Sequence, residues 1–178
     1  GHGLYEQGFK DEFVFTPLAQ AASLAIHESQ SLFWEKRIGI SREFVIYLFS
    51  DLKDTFPAVL SGINEETFYH EVNRVEPSLI RIEADEVSYG LHVIIRFELE
   101  QELINGTLPI KDLPIAWNDK YSQFLGVSPS NDLTGVLQDI HWYSGAFGYF
   151  PTYLLGAVYC AQISEALFAQ IKDVGQLI

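Results

Sequence analysis

Methionine is absent from all 178 residues, and cysteine occurs once, as Cys160. A single cysteine rules out an intrachain disulfide framework and fits a reducing compartment, so a cytoplasmic location is expected. Basic residues are scarce as well: 11 Lys and Arg stand against 24 Asp and Glu, a formal net charge of −13. Nucleic-acid backbones are held by clustered Lys and Arg, so no nucleic-acid partner is expected. No apolar run approaches the roughly 20 residues that span a bilayer. The longest stretch, residues 154–163, is broken by Gly156 and Gln162, and no membrane association is expected. The opening residues have neither the charge and apolar core of a signal peptide nor the Ser or Thr of an N-myristoylation pattern. A flexible polar leader is also missing: the chain opens directly on Gly1-His2 and reads as a segment of something longer.

What is present is ordinary for a protein with a real core. Apolar residues make up 48% of the chain, and the length fits one domain over residues 1–178. The pattern is helical. Thr16-Pro17 has the form of an N-cap with proline at the first helical position, and apolar residues from Leu18 to Phe33 recur at helical spacing up to Gly39. A second helix is expected from about Ser41 to Leu60, and a short third from Asn64 to about Asn73. The longest is expected to start at Pro77-Ser78, carry Leu79, Ile82, Val87, Leu91, Ile95 and Leu99, and stop at Asn105-Gly106. Pro114 opens another that Gly126 closes, and Pro151 opens a last one reaching about Val174. Residues 127–150, rich in Ser, Asn, Asp, Gly and aromatics, read as loop. Strand signals are weak and no repeat is visible, so the fold class is all-α.

Three groups of residues could carry chemistry. His27-Glu28-Ser29-Gln30-Ser31 places a His-Glu pair within an otherwise apolar helix, where an acid must be paired or bound to metal. On spacing alone, a satisfied polar contact between helices is the favoured explanation. On the expected long helix, Arg81, Asp85, Tyr89, His92 and Arg96 follow one another at spacings of three and four and share a face. That stripe is either the solvated side, with Arg81 and Asp85 as a surface ion pair, or the lining of a cleft with Arg81 as a fork for a carboxylate. The aromatic, glycine-rich stretch from Gln138 to Tyr153 suits either a ligand wall or local packing.

Taken in order, these segments resemble a known family. Gly1-His2-Gly3-Leu4-Tyr5-Glu6-Gln7-Gly8 resembles the end of the H-E-x-G-H zinc motif, and its sequel, of the M32 or carboxypeptidase Taq metallocarboxypeptidases. His27-Glu28-Ser29-Gln30 is similar to the family's H-E-S-Q motif, Ile80-Arg81-Ile82-Glu83-Ala84-Asp85 to its I-R-x-x-A-D segment, and Gly135-Val136-Leu137-Gln138-Asp139-Ile140-His141-Trp142 to its G-x-x-Q-D-x-H-W segment. The resemblance runs from end to end of this chain but covers well under half of the family's catalytic unit.

It implies a helical lobe of a zincin-like, cleft-forming peptidase, zinc-dependent removal of C-terminal residues from peptides, and a homodimer. On this resemblance His2 and Glu28 are expected zinc ligands, Arg81 the holder of the substrate carboxylate, and Asp85 a residue orienting a ligand or Arg81. His141 and Tyr153, with Tyr149 in reserve, are expected to donate hydrogen bonds to the oxyanion. The first ligand histidine and the general-base glutamate of H-E-x-G-H would lie before Gly1, and a reading frame beginning inside H-E-Met-Gly-His would produce such a start. The chain alone is therefore expected to bind zinc weakly, to have little or no carboxypeptidase activity, and to associate with itself or with a missing N-terminal segment. The competing reading is a non-catalytic helical remnant or interaction module.

Overall fold

A computed structural model describes residues 1–171, and every regular element among them is helical. The α-helices are α1 (His2–Gln7), α2 (Leu24–Leu32), α3 (Arg42–Thr55), α4 (Glu65–Val72), α5 (Tyr89–Ile104), α6 (Leu113–Leu125) and α7 (Pro151–Gln170). The described residues group into two compact units. One comprises residues 1–74 together with residues 155–171, and the other comprises residues 75–154.

In the first unit, α2 starts where Ser23 accepts a hydrogen bond from the Ile26 N–H, and it continues as a wider π-helical stretch over Phe33–Gly39. The expected start at Thr16-Pro17 is not observed. The Thr16 hydroxyl donates to the Phe13 carbonyl and accepts from the Leu18 N–H, closing a turn beside Phe15, whose φ is +66°. The short α1 was not expected from the sequence, whose opening carries no capping side chain. Ser41 caps α3, which ends at Thr55 rather than Leu60 because Pro57 disfavours helical geometry in the residue before it. Asn64 caps α4 as expected. Phe49 is buried against Phe68, with ring centroids 5.4 Å apart.

The second unit is built on α5 and α6. Ile95, Leu99, Trp117, Tyr121 and Leu125 form its apolar centre. Pro114 lies at the start of α6, and Gly126 ends it in the left-handed conformation at φ +71°. The expected helix from Pro77 is corrected here. Residues 77–88 are irregular apart from a 3₁₀ turn at Arg81–Glu83, and α5 begins only at Tyr89. The Asp85 carboxylate explains the break, because it accepts from the N–H groups of Glu76, Val87 and Ser88 and from the Ser88 hydroxyl. A side chain that captures nearby backbone donors competes with the helical ladder. Residues 127–150 are turns and irregular chain, as read, and Pro151 opens α7; the expected end at Val174 lies outside the described residues.

Candidate functional site

The His-Glu pair of α2 and the N-terminal histidine meet in the first unit. The His2 Nδ1 lies 3.1 Å from the His27 carbonyl oxygen. A carbonyl only accepts, so Nδ1 carries the hydrogen and, in the neutral ring, Nε2 carries the lone pair. That Nε2 is 3.5 Å from the Glu28 carboxylate. The His2 ring stacks on the His27 ring at 4.3 Å between centroids, and His27 Nε2 is 3.0 Å from the Glu6 carboxylate. Two donors bound to one tetrahedral ion at about 2.0–2.2 Å would stand about 3.4 Å apart, so the His2–Glu28 spacing fits two positions of such a shell. The backbone hydrogen bond on the far ring nitrogen is the usual way a ligating histidine is oriented. Among the described residues no group of three His, Cys, Asp or Glu side chains is placed to hold a metal ion. The residues present thus fit as part of a metal site.

The second unit holds the other candidates. Arg81 is 6% exposed and lies on the 3₁₀ turn, not on a helix face. Its Nε and Nη2 donate to one oxygen of Asp139 at 3.0 and 2.8 Å, and its Nη1 reaches the Tyr89 hydroxyl at 3.3 Å. The other Asp139 oxygen accepts from Arg96 Nε at 2.6 Å, and Arg96 is fully buried between α5 and α6. Burial alone would raise the Asp139 pKa; Arg96 and Arg81 outweigh it and hold the carboxyl below its ordinary range. The expected Arg81–Asp85 pairing is replaced by this bridge, 58 residues away in sequence. The shared face of five residues on one helix is likewise corrected, since only Tyr89, His92 and Arg96 of that set lie on α5.

His141 and Tyr153 are brought together: the imidazole Nε2 and the phenol oxygen are 2.8 Å apart. Tyr149 stands beside both, its ring centroid 5.4 Å from each. The Arg81 guanidinium lies over the Tyr153 ring at 4.8 Å. Burial lowers the His141 pKa, and the positive charge of Arg81 lowers it further, which favours the neutral ring. The Asp85 oxygens accept from Glu76, Val87 and Ser88; burial alone would raise its pKa, but these donors outweigh it and hold the carboxyl below the ordinary range.

The residues to which the sequence assigned no role are those that fasten the two segments of this unit. Gln138 accepts from the Arg81 backbone N–H at 2.9 Å and donates to the Leu79 carbonyl at 3.0 Å. Glu100 accepts from the Trp142 indole and from the Gly148 N–H. The adjacent Gln138-Asp139 pair was the available signal; its partners lie too far along the chain for spacing to reveal.

Comparison with known proteins follows the same lines. The sequence pattern of the carboxypeptidase Taq (M32) metallopeptidases matches residues 1–178. A thermostable carboxypeptidase 1 from Thermus thermophilus is 49% identical over 96% of this chain and 33% of its own length. Carboxypeptidase 1 of Bacillus subtilis is 40% identical over 100% of this chain and 36% of its own. The structure of Pyrococcus furiosus carboxypeptidase, described as Apo-Mg, superposes with a TM-score of 0.94 at 44% identity, covering 99% of this chain and 35% of that one. The chain therefore spans about a third of the length of the relatives it matches.

Proposed function

The chain belongs to the carboxypeptidase Taq (M32) metallopeptidases, and from that premise we propose that it is the C-terminal part of a unit that removes C-terminal residues from peptides. The observation that carries this is the orientation of His2: its Nδ1–H is tied to the His27 carbonyl, which turns Nε2 toward the Glu28 carboxylate. His2 and Glu28 are the two donors this chain would offer to a zinc-type ion, with a third donor and a general base supplied by the part of the unit that this chain does not span. Such an ion, when bound, supplies an acidified water and a Lewis acid at the scissile carbonyl.

The remaining steps belong to side chains of the second unit. A phenol donates once, so a Tyr153 that donates to the forming oxyanion must accept from the His141 Nε2–H. A neutral His141, favoured by burial and Arg81, carries the single N–H this role needs. Tyr149, flanking both rings, is the reserve donor. The Nε–Nη2 edge of Arg81 is occupied by Asp139 and one Nη1 hydrogen by the Tyr89 hydroxyl, so the second Nη1 hydrogen is the one that would be offered to a substrate carboxylate. Asp85 serves Arg81 by holding the backbone at Glu76 and Ser88, on either side of the turn that carries it.

Zinc and a homodimer remain the proposed metal and assembly. Exposed apolar side chains such as Phe15, Ile110 and Ile140 favour association over a monomer. With no three-donor group among the described residues, the 178-residue chain by itself is proposed to be inactive, and a role as a non-catalytic interaction module is the second reading, favoured by that same lack.

Exchanged for the matching third of the Thermus thermophilus relative, this chain should support chelator-sensitive release of C-terminal residues from peptides. Tyr153→Phe in that hybrid should lower kcat about 100-fold while leaving thermal stability unchanged. Release by the isolated chain, or an unchanged kcat in Tyr153→Phe, contradicts the proposal.

A further inference from the structure

Glycine is poorly suited to the interior of a helix, yet Gly156 sits buried within the 20 residues of α7. Its backbone does not call for glycine, because its φ lies outside the left-handed region that the turn glycines occupy. Space calls for it. A Cβ at position 156 would stand 2.9 Å from the Cβ and 3.0 Å from the Cγ of Glu28, and 3.2 Å from the Ala25 carbonyl oxygen. Carbon atoms in good contact stand about 3.5–4.0 Å apart, so that methyl could not be accommodated without movement. The Glu28 Cβ is fixed to the backbone of α2, and the Cγ is the atom that aims the carboxylate toward His2. Gly90 shows the contrast: there a Cβ would meet only the end of the Leu154 side chain, at 3.3 Å.

We propose that Gly156 is a positioning residue, whose missing side chain lets α7 close onto the stem of Glu28 and so fixes where that carboxylate stands beside His2. It acts through Glu28 and touches no reacting atom. This rests on the reading of His2 and Glu28 as metal donors.

The test is a zinc titration of the 178-residue chain, followed through the ring-proton resonances of His2, with folding checked by circular dichroism and thermal unfolding. Gly156→Ala should weaken zinc binding about tenfold, the lower end of what loss of an orienting contact costs a metal site. In a Glu28→Ala background the same substitution should leave the residual zinc affinity unchanged. A second tenfold loss in that background would show general loosening and overturn the proposal. Unchanged affinity in Gly156→Ala overturns it while leaving the metal pair standing, and zinc that leaves His2 undisturbed in the parent chain overturns both. If Gly156→Ala does not fold, a Glu28→Gly/Gly156→Ala double variant should, because removing both Cβ and Cγ leaves only the Ala25 carbonyl oxygen, at 3.2 Å, to be met. Failure of the double variant to fold would place the conflict with α2 itself and overturn the proposal.

Discussion

Asp139 carries two buried guanidinium groups on its two oxygens, and much of the second unit depends on that one side chain. Its neighbour His92 is fully buried on α5, with Nδ1 at 3.1 Å from the Tyr121 hydroxyl. Burial first, then the charges of Arg96 and Arg81, push its pKa down to about 4. An unfolded histidine takes up its proton near pH 6.5, so between about 6.5 and 4 the unfolded chain binds the extra proton and stability falls as the pH falls. The full window corresponds to about 3 kcal/mol at this residue. Thermal unfolding from pH 7 to pH 4 should show that decline, and His92→Gln should flatten it. An equal slope in the variant would assign the decline to other groups. Little of this was legible in the sequence. His92 and Arg96 stood out for their spacing, but their environment depends on Asp139, 43 residues beyond Arg96, and no local pattern encodes that pairing.

At the scale of elements, helix ends show where sequence reading works and where it fails. Asn64 and Gly126 act as punctuation because their preferences are local. Thr16-Pro17 carries the same local signal, but its hydroxyl closes a turn, and Ser23 caps the helix instead. The stretch before α5 misleads for a different reason. Its apolar periodicity runs on through residues 77–88, while the Asp85 carboxylate gathers four donors and the Gln138 amide takes the Arg81 N–H. Asp85 therefore does the work of a cap set one turn ahead of the helix. Asp85→Ala should cost about 2 kcal/mol in urea unfolding, the upper end for a lost capping side chain, with Asp85→Asn intermediate. A loss below about 0.5 kcal/mol, within the range of an ordinary surface substitution, would remove Asp85 from that role.

For the whole molecule, family membership was legible because four short motifs keep their order along the chain, and the family pattern matches residues 1–178. The grouping into two units was not legible, since α7 leaves one at Leu154 and enters the other at Leu155 without any break in the helix. His2 and Glu28 lie in the first unit, and Arg81, His141 and Tyr153 in the second. The chain spans about a third of its relatives' length and stands His2 Nε2 3.5 Å from the Glu28 carboxylate, and this pair is proposed to contribute to a larger metal site. The most direct test is the metal content of the Thermus thermophilus hybrid after equilibration with zinc and removal of loosely bound ions. The account predicts one tightly held ion per chain, lost in both His2→Ala and Glu28→Ala. One ion retained in either variant, or none in the parent hybrid, would contradict it.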